Sequence, residues 1–248
     1  MKKRYNSDLE LEVLALYKEN LEIKDICKRL NVYKDYPSIV AKKYGIARGS
    51  GKKSTINSEL FTVGNKNSEY WLGYIIADGN ISCIDRSNRL SLATTDLEIK
   101  DKFISYCKAN YHLQKDNLHV MHFCSKEIVT KLISYGITAK KSLTLKLDIP
   151  ITSHLLRGIF DGDGSVHNKR HYCKITTGSL VLGNQIVDYL EEQGIYSKLR
   201  NRNNTNHYDV WVERKADFKK FFDLIYFDSE DCIRLNRKYH KFINLLSA

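Results

Sequence analysis

No run of about eighteen apolar residues occurs in the 248-residue chain, so the sequence offers no helix for crossing a membrane. The opening stretch MKKRYNSDLE leads into charged, helix-patterned sequence and not into the apolar centre of a secretory signal. Cysteines are few and scattered: Cys27, Cys83, Cys107, Cys124, Cys173 and Cys232 form no CxxC pair. That excludes the usual zinc-site and disulfide spacings and points to reduced thiols in a cytoplasmic protein of a prokaryotic or phage-infected cell. The histidine pairs His119/His122 and His167/His171 lack companion ligands at metal-binding spacing.

What the chain has instead is positive charge. Lys and Arg total 40 against 29 Asp and Glu, a formal charge of +11 with a sequence pI of about 9.2. Its default polyanionic partner is nucleic acid. A hydrophobic fraction of 42% is enough for folded domains with real cores.

Residues 1–47 read as a small all-helical unit. Leu9, Val13, Leu16 and Tyr17 follow a capping Asp8, with Asn20 as the stop. Ile23, Ile26, Cys27 and Leu30 recur at i, i+3, i+4 and i+7, the spacing of one buried helical face. Pro37 and Gly45 bracket a third helix expected over 38–44. The segment resembles a helix-turn-helix DNA reader of the resolvase-like kind, with Lys42 and Lys43 as candidate DNA contacts. A basic Gly/Ser-containing stretch, Arg48 to Ser54, makes 48–66 the candidate linker.

The remainder reads as one unit written twice, over 67–150 and 151–248. The first copy opens Tyr70-Trp71-Leu72-Gly73-Tyr74-Ile75-Ile76-Ala77-Asp78-Gly79, and the second opens Leu155-Leu156-Arg157-Gly158-Ile159-Phe160-Asp161-Gly162-Asp163-Gly164. A polar hairpin region follows each, then a threonine pair (Thr94-Thr95, Thr176-Thr177), a helix, an alternating strand (118–123, 208–213) and a further helix. The offset, 163 − 78 = 85 residues, fits a duplicated half-domain.

The opening helices carry the chemistry. Gly73/Ala77 and Gly158/Gly162 are each four apart, so each helix presents a strip of small residues that lets two backbones come close. The other positions are largely apolar all round, which places both helices in a core, packed on each other. Both end in Asp-Gly, and the glycines suit a left-handed closing residue. Asp78 and Asp163 are the anomaly. Each faces the negative end of its helix dipole, and parallel packing sets the two carboxylates against each other. A hard divalent cation relieves both problems.

WLGYIIADG and LRGIFDGDG resemble the paired signatures of the LAGLIDADG homing endonucleases. The resemblance implies an α+β fold of two pseudo-symmetric αββαββα halves, here preceded by the helical unit, with each sheet saddling the major groove of double-stranded DNA. It implies a site-specific endonuclease that hydrolyses phosphodiesters with Mg²⁺ (or Mn²⁺) held by Asp78 and Asp163, helped by the carbonyls of Ala77 and Gly162. The family places a lysine near each metal late in each half. Lys140 or Lys141 and Arg237 or Lys238 are the residues in place, with Lys141 and Lys238 taken as catalytic and Asn236 standing where a lysine is expected. Ile76 departs from the motif's first Asp, which Asp161 keeps.

Candidate DNA contacts lie around the hairpins: Arg86 and Arg89 in the first half, and Lys169, Arg170, Lys174, Arg200 and Arg202 in the second. Two motifs in one chain imply an active monomer. A non-catalytic transcription regulator of the same fold and an RNA maturase are the competing readings. A Met1 start without the Cys/Ser beginning or His-Asn end of an intein leads us to expect a free-standing protein.

Overall fold

The computed structural model describes residues 7–19, 21, 23–46, 57, 59–82, 88–139, 141–202, 205–228 and 233–247. They fall into two compact units, Met1–Thr55 and Ile56–Ala248. The stop at Asn20, the linker stretch Arg48 to Ser54, and Arg86 and Lys140 lie outside the described residues.

The small unit has three helices, α1 (Ser7–Lys18), α2 (Ile23–Leu30) and α3 (Tyr36–Lys43), around Val13, Leu16, Tyr17, Ile26 and Val40. The third helix begins two residues earlier than expected. Asp35 takes the capping position and Pro37 falls in the first turn, where its missing N–H costs no hydrogen bond. Lys43 is held by Glu10 of α1 at 2.7 Å, and Tyr44 donates to the same carboxylate at 2.8 Å. Lys43 therefore braces α3 against α1, while Lys42 is exposed.

The larger unit runs α4 (Lys66–Asp78), β1 (Gly79–Ser82), β2 (Arg89–Thr94), α5 (Leu97–Cys107), β3 (Asn110–Leu113), β4 (His119–Cys124) and α6 (Lys126–Ser134). It then repeats as α7 (Ser153–Asp163), β5 (Gly164–Val166), β6 (Cys173–Thr177), α8 (Leu180–Glu192), β7 (Lys198–Asn201), β8 (Tyr208–Val212) and α9 (Lys215–Tyr226), with α10 (Asn236–Leu246) closing the chain. This is the expected αββαββα order twice. Each half forms a four-stranded antiparallel sheet, β1-β2-β4-β3 and β5-β6-β8-β7, with the same topology.

Local chemistry repeats as well. Asn65 and Thr152 cap α4 and α7 by accepting the backbone N–H three residues on. Thr94 accepts from the N–H of Asp96, which caps α5, and Thr177 accepts from the N–H of Ser179, which caps α8. The structural equivalence is thus Thr94 with Thr177, one residue out of step with the pairing of whole threonine doublets. The β5–β6 hairpin is shorter than its counterpart, so fewer residues separate the motif from the threonine.

Helices α4 and α7 lie parallel at the centre, each buried almost throughout. A Cβ on Gly73 would strike the carbonyl of Leu155 and the N–H of Ile159; one on Gly158 would strike the carbonyl of Tyr70 and the N–H of Tyr74. Gly162 faces the side chain of Ala77 in the same way. The strips of small residues are where the two backbones touch.

The closing glycines differ from expectation. Gly79 (φ −80°, ψ 150°) and Gly164 (φ −84°, ψ 157°) are extended, not left-handed, because each is the first residue of a strand. Glycine is required there for space: a Cβ would collide with Ile75 or with Phe160.

Three buried residues of α7, His154, Arg157 and Asp161, run against the apolar pattern. Arg157 is fully enclosed and donates to the carbonyl of Ile225 (3.0 Å) and to Asp228 (2.9 Å), tying α7 to the end of α9.

Candidate active site

Asp78 and Asp163 are the last residues of α4 and α7, and parallel packing delivers both to the same end of the helix pair. A Cβ placed on Gly162 would lie 3.4 Å from Asp78 Oδ2, so the Asp78 carboxylate leans across the interface toward α7. Solvent reaches both side chains, yet each carboxylate stands among packed helix ends. Burial raises the Asp78 carboxyl, against the pull of a hydrogen bond from Tyr74 and the charges of Lys238 and Lys141. Asp163 is pushed up to about 7, first by burial and then by the Asp78 charge. The two carboxylates resist being ionised together, the electrostatic state that a bound divalent cation relieves.

Both lysines taken from the sequence arrive here. Lys141, in a short 3₁₀ turn between α6 and α7, donates to the carbonyl of Gly79. Lys238, in the first turn of α10, donates to the carbonyls of Phe160 (2.8 Å), Asp161 (2.7 Å) and Gly162 (3.2 Å). Both are buried, at 8% and 4% exposure. Burial lowers the Lys141 ammonium and takes Lys238 down to about 8, opposed mainly by Asp161. The alternative Arg237 points elsewhere, to Asp96 at 3.1 Å. Asn236 binds Glu98 at 2.6 Å, so it joins the start of α10 to α5 of the other half and is not a site residue.

A network invisible in the sequence supports this end of α7. Asp161 is fully buried and accepts from Tyr70 (3.0 Å), Tyr226 (3.0 Å) and the N–H of Leu235 (2.7 Å). Burial raises it to about 6, held from rising further by the Lys238 charge and these donors. Asp161 therefore fixes α4, α9 and the approach to α10 around the helix end that Lys238 grips. Ile76 takes the corresponding place in α4, so the two halves of the site are built differently. The only sequence signal for this was an acid amid apolar helix positions.

Among the described residues no cluster of three or more His, Cys, Asp and Glu could hold a metal. A cation at this point would meet the carboxylate pair, with the carbonyls of Ala77 and Gly162 as the further donors expected from the sequence. Oxygen donors only, mutual repulsion between the acids and access to solvent all fit a hard divalent ion such as Mg²⁺. The Gly162 carbonyl is shared with Lys238. Beside Asp163 a cavity of about 220 Å³ opens, lined by Ala77, Lys141, Thr176, Thr177 and His207 among others, with room for ordered water.

The candidate DNA residues are spread over the sheets and their turns. Arg89, Lys169, Arg170, Arg200 and Arg202 are exposed. Lys174 is half-buried and bonded to Asp209 at 2.8 Å; Arg202 reaches the same acid at 3.3 Å, and Arg200 pairs with Glu213.

Comparison with known proteins agrees with this architecture. Residues 152–226 match the model of the LAGLIDADG-like domain. A structure of mesophilic variants of the homing endonuclease I-DmoI superimposes with a TM-score of 0.53 at 15% identity, covering 71% of this chain and 96% of that one. The LAGLIDADG meganuclease I-AabMI bound to uncleaved DNA gives 0.52 at 14% identity, covering 74% and 89%. An I-DmoI variant with its target DNA nicked in one strand, in the presence of Mn, aligns with a TM-score of 0.48 at 16% identity, covering 64% and 95%. No curated protein matches the sequence. Residues 152–226 are thus similar to a LAGLIDADG-like domain, and the unit Ile56–Ala248 has the two-half fold of the LAGLIDADG homing endonucleases.

Proposed function

We propose that this protein is a site-specific, metal-dependent endonuclease of double-stranded DNA. The observation that carries the reading is the pair Asp78 and Asp163, brought together at the ends of two packed helices and flanked by the buried lysines Lys141 and Lys238. A regulator of this fold has no need to keep two repelling acids at that point, and relief of the repulsion is available from a cation.

Asp78 and Asp163, with the carbonyls of Ala77 and Gly162, would hold Mg²⁺ or Mn²⁺. When bound, such an ion supplies charge neutralisation at the phosphate and a water acidic enough to attack it. The reaction forms a phosphorus–oxygen bond to a water oxygen and breaks the bond to the 3′-oxygen; one water proton ends on the 3′-oxygen and the other on the phosphate or in solvent. Lys238 neutralises the carbonyl ends of α7 and, with Lys141, adds positive charge where the pentacoordinate phosphate becomes more negative. The exposed sheet faces, that of the second half strongly basic, hold the duplex, and the helical unit 1–47 adds affinity through contacts of its own. Two motifs in one chain make the working form a monomer on an asymmetric site.

The test is incubation of the purified protein with a library of supercoiled plasmids in Mg²⁺, in Ca²⁺ and in EDTA. Linear product with unique ends in Mg²⁺ alone supports the reading. Tight binding without cutting in Mg²⁺ or Mn²⁺ favours the regulator.

A further inference from the structure

The outward faces of the two sheets are chemically unlike each other. Strands β1 and β5 are edges, and each starts directly after a site aspartate, so both sheets extend away from the carboxylate pair. In the second sheet one row across the exposed face is Ser165, Lys174, Trp211 and Lys198, and the next is Thr176, Asp209 and Arg200. Trp211 stands between two cations, with Lys174 Nζ 5.1 Å and Arg200 Cζ 5.2 Å from its ring centre. Asp209 accepts from Lys174 (2.8 Å), Thr176 (2.7 Å) and Arg202 (3.3 Å). Long flexible cations are thereby fixed before any ligand arrives, which reduces the side-chain entropy lost on binding.

The corresponding rows of the first sheet are Asn80, Ser91, His122 and Asn110, then Ala93, Val120 and His112. Arg89 is the one lysine or arginine on the described strands of this face. Burial, then Arg89 and His112, lower His122 and disfavour its charged form. Amide side chains match adenine edges, and Ala and Val methyls match the thymine methyl, whereas Lys and Arg match the N7 and O6 of guanine.

Resting on the endonuclease reading, we infer that the two halves select different half-sites: the second sheet takes guanines through Lys174, held by Asp209, and Arg200, held by Glu213, both against Trp211, and the first takes A·T pairs through Asn80, Asn110, Ala93 and Val120. Asp209 is a positioning residue in this scheme and touches no base.

Selection from a randomised duplex library by the full chain in Ca²⁺ tests the inference. The expected result is guanine enrichment on one side of the central base pairs and A·T enrichment on the other. Lys174→Met combined with Arg200→Gln removes the guanine signal and leaves the A·T side intact; Asn80→Ala with Asn110→Ala does the reverse. Asp209→Asn weakens guanine enrichment several-fold and leaves the A·T enrichment of the other side unchanged, which separates positioning from a general loss of folding. Equal base composition on both sides, or guanine enrichment that survives the double substitution, overturns this inference alone. Recovery of no duplex at all overturns it together with the endonuclease reading.

Discussion

Gly73 and Gly158 face each other where α4 crosses α7, each lying against the other helix's backbone with no room for a Cβ. This contact determines how far apart the helix ends stand, and hence the spacing of Asp78 and Asp163. Alanine is the better helix former by about 1 kcal/mol. Here the atoms in the way are backbone carbonyls, which cannot rotate aside, so the helices must separate. Gly73→Ala or Gly158→Ala is expected to lower stability by about 3 kcal/mol, the upper end of the usual range for one added methyl. Urea denaturation measures it; a more stable Gly158→Ala protein would refute the close contact.

Asp161 serves structure before chemistry. Removing its carboxylate leaves two tyrosine hydroxyls and the Leu235 N–H without their acceptor. Asp161→Ala should cost about 3–5 kcal/mol, the range for breaking a buried charged network. Ile76→Ala in the matching place of α4 should cost about 2–4 kcal/mol by cavity formation alone. The thermal midpoints of the two variants check this. An Asp161→Ala protein as stable as wild type would remove the network from the account.

The Asp209 carboxyl gives a pH-dependent signature. Burial pushes it up, but bonds from Lys174 and Thr176 and the charges of Lys174 and Arg202 more than offset this and leave it below the ordinary value. A depressed acid contributes stability that is present above its unfolded pKa, about 3.9, and is lost as pH falls through the lower folded value. The gap in thermal midpoint between wild type and Asp209→Asn should therefore be steady from pH 5 to 7 and close as pH falls past the unfolded value through the lower folded one. A gap unchanged at acid pH would contradict the pairing.

Much of this was legible because it is local or periodic. The four-residue spacing of small side chains, Asp-Gly at two helix ends and the repeated order of elements are all written along the chain. What escaped is contact between distant positions. Nothing near Asp161 in sequence announces Tyr70, Tyr226 or Leu235, and nothing near Asn236 announces Glu98, 138 residues away. The extended glycines at 79 and 164 escaped for a different reason: helix-closing glycine is commonly left-handed, and only the immediate start of a strand removes the turn.

Lys238 offers a way to perturb the site without touching the acids. Lys238→Met keeps the apolar stem and removes the ammonium from three carbonyls of α7. Cleavage should fall about 10²-fold or more, the scale of losing one preorganised electrostatic group, with DNA affinity changed only a few-fold. Single-turnover cleavage and gel-shift titration of one target duplex measure the two effects. Equal losses in both would make Lys238 a binding residue.

The paired acids are the centre of the account, and they are tested most directly by the cleavage rate of Asp78→Asn, Asp163→Asn and the double variant on a selected duplex in Mg²⁺, beside binding in Ca²⁺. Asparagine keeps the size of the side chain and removes the charge that holds the cation. Rates should fall by orders of magnitude for each single variant, the double variant should be little worse than the poorer single one, and binding should be retained or tightened as repulsion of the phosphates is relieved. Undiminished cutting by the double variant would contradict this role of the acids.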